Sequence, residues 1–258
     1  MTQAGSVGAS SDADVTMTMI DHLRELRMRI VRALIGVAVG MVVVLSFYDP
    51  ILRFLTKPYR DLCATNPDYS CDGSLFALGP LDGFAARIRI ATWGGVILAL
   101  PIVFWQIWRF VAPGLDKREK RYAIPFIAST TVLFGVGCWM AYWTLDKALE
   151  FLISWSGSSV DQAYQVSKYV SLVTLMALAF GAGFLSPVLI LFLQLVGIVT
   201  PRTLMRQWRI AIMCIFVAAA VITPSGDPVS LFALSIPMTL LYFLAVLIGW
   251  LITRRRSH

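Results

Sequence analysis

Six long apolar runs restrict what this chain can fold into. A membrane-spanning helix needs about 20 largely apolar residues, because the hydrocarbon layer is about 30 Å thick. Inside that layer every backbone polar group must be paired within the protein. The composition agrees, since 58% of the residues are hydrophobic and only 14% are charged. The sequence therefore predicts an all-α integral membrane protein with spans near Ile30–Tyr48, Ile90–Ala112, Tyr122–Leu145, Tyr169–Val199, Ile210–Thr223 and Ser230–Ile252.

Positive charge is distributed unevenly between the two sides that these spans define. Of the 22 Lys and Arg residues, 15 flank the side that includes both termini and 7 flank the other. Because cytoplasmic segments carry the excess of positive charge, both termini are predicted to be cytoplasmic. The net charge of +7 then reflects this asymmetry, and no nucleic-acid partner is expected. Residues 1–19 are predicted to be a disordered tail, 20–253 the helical domain and 254–258 a basic tail.

Two features indicate that the bundle is not a set of straight, equal cylinders. The fifth span reaches only about 21 Å at about 1.5 Å per residue, so either the bilayer thins locally or flanking side chains complete the span. Prolines are predicted inside four spans, where each removes a helix hydrogen bond and bends its helix. These prolines are Pro101, Pro125, Pro187 and Pro237.

The first two outward connections are long, which is typical of loops with structure or a task of their own. The first, Asp49–Arg89, contains Cys63 and Cys71, and pairing of these two is as well supported as non-pairing. Cys138 and Cys214 lie in apolar spans and are expected to be small buried residues. The third connection, Pro224–Val229, is predicted to be a tight turn from its Pro, Gly and Asp content.

No Asp, Glu, Lys, Arg or His lies in the middle of a span. Ion-coupled carriers place such residues there, so a transporter of that kind is disfavoured. The sequence also lacks a phosphate-binding loop, a zinc-protease motif and a Cys/His cluster. We therefore expect neither an enzyme nor a cofactor, and the informative charges lie at the cytoplasmic ends of the spans.

Two of those cytoplasmic segments place a carboxylate among bases just before a span. The segment HLRELRMR carries Glu25, and FVAPGLDKREKR carries Glu119. Glu25 has a simple local explanation, because Arg29 lies at position i+4 and can pair with it on a helix. Glu119 has no base one turn ahead, so a ligand-binding role is a stronger alternative there. A carboxylate in a basic field selects a cation, and a guanidinium fits best because it binds in a bidentate fork.

These motifs resemble the TatC family, the multispanning receptor subunit of the twin-arginine protein translocase. HLRELRMR is similar to the family's N-terminal signature, and PIVFWQIWRFVAPGLDKREKR to its proline-to-acid block. FGAGFLSPV and ITPSGDPVSLFALSIPM resemble the fourth span and the turn into the sixth. The resemblance covers about Met19 to Arg254.

The resemblance implies six bent helices in a concave cup, within a prokaryotic cytoplasmic membrane. It implies binding of twin-arginine signal peptides of folded cargo, assembly with TatA and often TatB single-span partners, and export driven by the proton-motive force. It also implies homo-oligomers within that complex, in contact with membrane lipids. The matching positions are Glu25, Glu119, Arg27, Phe110 and Pro113 for the signal peptide, Pro58 in the outward loop, and Thr223 and Asp227 for partner docking.

The sequence departs from the family pattern at three places. Leu185 stands where many relatives carry a glutamate within the fourth span, Leu231 stands where some carry glutamine, and the turn before Asp227 is one residue longer. Two other classes stay open at this point. A small-solute transporter would need polar groups at mid-membrane, and a membrane-protein insertase would bind apolar clients without regard to arginine pairs.

Overall fold

The computed structural model describes residues 19–65, 73–111, 123–156 and 164–256. Helices account for nearly all of this part of the chain, so the all-α prediction is confirmed. The elements are α1 (Met19–Ser46), α2 (Tyr48–Thr65), β1 (Leu75–Phe76), α3 (Pro80–Val111), α4 (Ala123–Ser156), β2 (Tyr164–Gln165), α5 (Val166–Leu195), α6 (Pro201–Arg206), α7 (Trp208–Ile222) and α8 (Pro228–Arg256).

Within the described ranges, five helices are long and apolar enough to cross a membrane, namely α1, α3, α4, α5 and α8. The predicted fifth span corresponds to α7, which has 15 residues and is shorter than these five. Its length of about 22 Å agrees with the short span expected from the sequence. The count of six spans and the cytoplasmic position of both termini stay predictions.

Glycines allow α1 and α3 to pack with their backbones in contact. A Cβ placed on Gly40 would lie 2.7 Å from the carbonyl oxygen of Gly95, and one on Gly95 would lie 2.7 Å from the backbone nitrogen of Met41. Lipid chains are as apolar as the helices, so burying apolar side chains drives little association between helices in a membrane. Van der Waals contact between closely approaching backbones then supplies much of the association energy. Gly36 faces Ile102, while Gly94 faces Val44. Residues later in α1 therefore contact residues earlier in α3, so the two helices are antiparallel.

The central part of the bundle is formed by α4, α5 and α8. Gly137 of α4 faces the backbone of Phe180 on α5, where an added Cβ would lie 2.6 Å from the Phe180 carbonyl oxygen. Gln194 of α5 donates its side-chain amide to the carbonyl oxygen of Ala245 on α8, at 3.3 Å. Phe180, Leu234 and their neighbours form one buried apolar cluster. These contacts fix the three helices relative to one another.

The outward connection Asp49–Arg89 is largely helical, which the sequence analysis did not assign. Its first part is α2, whose residues Leu52, Leu55, Tyr59 and Leu62 repeat at helical spacing and turn toward the bundle. Phe54 stacks on Tyr142 of α4 with ring centroids 4.4 Å apart. The Tyr142 hydroxyl donates to the Phe54 carbonyl oxygen at 3.0 Å. Helix α2 thus caps the end of the bundle at which α1 ends, and it is fixed to α4.

The second part of that connection is the first turns of α3, which begins at Pro80 rather than near Ile90. Asp82 explains the early start, because its Oδ2 accepts the backbone N–H groups of Leu78 at 2.8 Å and Gly79 at 3.1 Å. An acid that satisfies the first donors in this way stabilises a helix N-terminus. Strand β1 pairs in parallel with β2, and this pairing joins the α2–α3 connection to the α4–α5 connection.

Three of the four predicted interior prolines lie inside helices that the structure describes on both sides of the proline. Pro101, Pro187 and Pro237 are interior to α3, α5 and α8. Pro125 is the third described residue of α4 and follows closely on residues that the structure does not describe, so its interior position stays a prediction.

Replacing Gly40 with alanine should destabilise the protein, because the new methyl group meets the Gly95 backbone, which cannot rotate away. Overpacking of this kind costs about 1–3 kcal/mol. Gly135→Ala is the matched control, since nothing lies within 4 Å of a Cβ placed there. Thermal unfolding in detergent should give a lower midpoint for Gly40→Ala than for Gly135→Ala. Equal midpoints would contradict the close α1–α3 contact.

Candidate functional site

The α1–α3 packing brings two of the predicted site residues to the same end of the bundle. From the Gly36–Ile102 contact, Glu25 lies about 16 Å along α1 and Phe110 about 12 Å along α3, at about 1.5 Å per residue. Because the helices are antiparallel, Glu25 and Phe110 lie on the same side of the Gly36–Ile102 contact. We call this region, Leu23–Arg32 of α1 with Trp105–Phe110 of α3, the α1/α3 rim.

At the α1/α3 rim, Glu25 forms an ion pair with Arg29, in which Nη2 of Arg29 donates to Oε1 of Glu25. The side chain of Arg29 is 10% exposed and that of Glu25 is 30% exposed. The Nε atom of Arg29 is buried and has no hydrogen-bond partner within the described part of the chain. The local pairing that the i+4 spacing suggested is therefore present. It is more buried than a surface pair.

The remaining bases of the α1/α3 rim are exposed. Arg24, Arg27 and Arg32 surround the ion pair on α1, and Arg109 lies in the last turn of α3. These side chains make the surface positive and suit it to anionic lipid headgroups. Glu25 is the acid that the described residues place in this basic field. The surrounding bases repel cations, so any attraction of a cation to this region comes from the Glu25 carboxylate.

Glu119 and Pro113 lie outside the described residues, between the end of α3 and the start of α4. Phe110 is half-buried in the last turn of α3. The last described residues of α3 thus lie at the same rim that carries Glu25.

An apolar cavity of about 340 Å³ opens between the ends of α3, α4, α5 and α8. Trp108 of α3, Phe126 of α4 and Phe192 of α5 form an aromatic cluster at its wall, with ring centroids 4.9–5.9 Å apart. Among its lining residues only Ser129, through its hydroxyl, and Trp108, through its indole N–H, carry a polar side-chain group. Leu185, where many relatives carry glutamate, is half-buried on α5. Neither the described lining of this cavity nor position 185 therefore carries a carboxylate.

The site residues of the predicted outward loop lie at the end of the bundle opposite to the α1/α3 rim. Pro58 is buried within α2, on the wall of a polar cavity of about 290 Å³ that Asp61, Asp146 and Glu150 also line. Cys63 is buried and disulfide-bonded. Cys71 lies outside the described residues, so its pairing with Cys63 stays a prediction. Cys214 is exposed on α7, and the expectation that it is buried is wrong, because α7 packs through few of its residues.

The predicted partner-docking residues form the turn between α7 and α8. Thr223 ends α7 and donates its hydroxyl to the Ala219 carbonyl oxygen at 2.8 Å. Asp227 is 3% exposed, and its Oδ2 accepts the backbone N–H of Ser230 at 2.6 Å. Asp227 is therefore the N-cap residue of α8. Gly226 has a φ of 62°, which confirms the tight turn.

Sequence reasoning missed the polar atoms that are buried beside this cap. Asp227 Oδ1 and the hydroxyls of Ser225 and Ser230 are buried without a hydrogen-bond partner among the described residues. The pattern Asp-Pro-x-Ser could have identified the start of α8, since an N-cap acid followed by proline at the first helical position is typical of a helix start. The buried hydroxyls themselves leave no such signal in the sequence.

The fold and the rim define a polytopic helical membrane protein with a carboxylate among exposed bases at one end. Comparison with known proteins then identifies the family. The family model described as "Sec-independent protein translocase protein (TatC)" matches residues 21–237, and the chain belongs to this family. It is a membrane component of a protein translocase and not an enzyme.

Individual relatives and solved structures agree with this assignment. The chain is 40% identical to a Sec-independent protein translocase protein TatC from Frankia casuarinae, over 94% of this chain and 68% of the relative. It is 36% identical to the same protein from Koribacter versatilis, over 94% of this chain and 89% of the relative. A crystal structure of the twin-arginine translocase receptor TatC superposes with a TM-score of 0.73 at 31% identity, covering 90% of this chain and 99% of that one.

Replacing Asp227 with alanine should destabilise the start of α8, because the Ser230 N–H loses its acceptor. Loss of an N-cap costs about 0.5–2 kcal/mol, while asparagine caps about as well as aspartate. Thermal unfolding should therefore give a lower midpoint for Asp227→Ala and a nearly unchanged midpoint for Asp227→Asn. If asparagine destabilises as much as alanine, the charge of Asp227 matters and capping does not explain its burial.

Proposed function

We propose that this chain is the signal-peptide receptor of a twin-arginine translocase. The carboxylates of Glu25 and Glu119 bind the guanidinium groups of two consecutive arginines in the signal peptide of a folded cargo protein. Each contact is a charge-assisted hydrogen bond, which is about twice as strong as a neutral one. The observation that carries the proposal is the position of Glu25 at the α1/α3 rim, beside the point where α3 leads into the Glu119 segment.

The surroundings of the two acids support the same proposal. Arg27 and its neighbours attract the anionic lipid surface, which keeps the receptor site at the level of the headgroups. Phe110 offers an apolar or aromatic face near the guanidiniums, and such faces stack well on arginine. Pro113 then restricts the backbone of the segment that carries Glu119. The apolar part of the signal peptide would follow the bundle into the membrane.

The proposal includes a topology and a set of partners. With both termini in the cytoplasm of a prokaryote, the α1/α3 rim faces the compartment in which cargo folds. Single-span TatA-type and TatB-type partners would dock near α7 and the turn with Thr223 and Asp227, where α7 exposes most of its apolar residues. Several receptors would assemble in one complex, and the proton-motive force would drive export. Leu185 implies that this protein works without a carboxylate at that position.

The competing classes gain no support from the described residues. A small-solute transporter needs polar groups along a path, whereas the cavity between α3, α4, α5 and α8 is almost entirely apolar. A membrane-protein insertase would bind apolar segments, and it has no use for an acid held in a basic surface. Arginine dependence therefore separates the receptor from both alternatives.

Binding of a labelled twin-arginine peptide to the protein in lipid nanodiscs tests the proposal. Glu25→Gln and Glu119→Gln should each weaken binding about ten- to a hundredfold, since a lost charge-assisted contact costs about 1.5–3 kcal/mol. A twin-lysine peptide should bind the unchanged protein similarly weakly, because an ammonium lacks the planar fork.

Glu150→Gln is the matched control for these measurements. Glu150 is also paired, with Lys147 at 3.2 Å, but it lies at the opposite end of the bundle. Its substitution should leave peptide affinity unchanged. If Glu25→Gln and Glu119→Gln bind as tightly as Glu150→Gln, the receptor proposal is wrong and the alternatives must be reconsidered.

A further inference from the structure

The carboxylate that is proposed to bind an arginine of the signal peptide already binds an arginine of its own chain. Nη2 of Arg29 donates to Oε1 of Glu25, which is the kind of contact that an incoming guanidinium would make. Arg29 is also the buried base of this region, with 10% of its side chain exposed. It is therefore held beside Glu25 and is not free to move into solvent as a surface arginine would be.

We infer that Arg29 is a built-in competitor that occupies Glu25 until a signal-peptide arginine displaces it. This inference rests on the proposed receptor function and adds a regulatory contact to it. The empty receptor is held in a closed state in which Glu25 is neutralised. The ligand-binding state is open, with the Glu25 carboxylate released from Arg29.

The cost of opening follows from the burial of Arg29. An arginine within the same helix is present at a high effective concentration, so a free cation cannot outcompete it by chance. When the pair opens, a buried guanidinium loses a partner, although its Nε already has none among the described residues. Leaving a buried charge without its partner is unfavourable. The apparent affinity for the peptide is reduced by the fraction of receptors that are open.

The position of Arg29 in the helix separates it from the other bases of α1. It lies at i+4 from Glu25, the spacing at which two side chains meet on one face. Arg27 lies at i+2 and points to another face, and Arg32 is exposed. Removing a charge at Arg32 therefore changes the general field of the rim but not the occupancy of Glu25. This makes Arg32 the matched control.

Arg29→Met tests the inference, because methionine fills the apolar space of the arginine stem and cannot pair with Glu25. Binding of a twin-arginine peptide in nanodiscs should tighten about three- to tenfold. Arg32→Met removes the same charge and should change affinity by less than about twofold. Arg29→Lys keeps a cation that makes a weaker contact, and it should give an intermediate affinity.

A double-mutant cycle with Glu25→Gln decides whether the effect acts through Glu25. In the Glu25→Gln background, Arg29→Met should no longer tighten binding, because there is no carboxylate to release. Unfolding midpoints measured on every variant identify any loss of the fold, and Arg29→Gln provides a second substitution if methionine is not tolerated.

The outcomes separate this inference from the receptor proposal on which it rests. If Glu25→Gln weakens binding but Arg29→Met leaves it unchanged or weakens it, Arg29 positions the carboxylate and the competitor inference is wrong. An equal gain for Arg29→Met and Arg32→Met would also overturn it, because general charge would then explain the effect. If Glu25→Gln itself has no effect, the receptor proposal fails first.

Discussion

The backbone contact between Gly40 of α1 and Gly95 of α3 is the interaction on which the proposed site depends. In a hydrocarbon layer helices gain little from burying apolar side chains against one another, so close backbone approach becomes a main source of affinity between them. This contact sets an antiparallel register, and the register carries Glu25 to the end of α3. A larger residue at either glycine would separate the helices and move the carboxylate away from the end of α3.

The chemistry of the rim follows from placing one acid among many bases. Exposed arginines hold the surface near anionic lipid, but they would repel a cationic ligand if no carboxylate were present. Glu25 removes that conflict for a guanidinium, and its pair with Arg29 keeps the acid compensated when no ligand is bound. The partly buried carboxylate is thus compensated in the empty protein, and in the proposed receptor a ligand reaches it by displacing Arg29.

Much of the helical fold could be predicted from the sequence, because lipid permits few alternatives for a long apolar run. The short α7 and the Glu25–Arg29 pair were also predictable, since both depend on local spacing. The early start of α3 and the outward helix α2 were not assigned. They depend on Asp82 accepting backbone N–H groups and on Phe54 stacking on Tyr142, contacts whose partners only the folded chain brings together. The buried hydroxyls of Ser225 and Ser230 are equally invisible to spacing rules.

The most direct test of the account is photo-crosslinking of a labelled twin-arginine peptide from single positions in the membrane-embedded protein. A photoreactive residue replaces Leu26, half-buried on α1 beside Glu25, or Leu78, which is 82% exposed at the outward end. We predict crosslinking from position 26 that an unlabelled twin-arginine peptide suppresses and a twin-lysine peptide does not. Position 78 should give none. Equal crosslinking from both positions, or equal suppression by both peptides, would contradict arginine recognition at the α1/α3 rim.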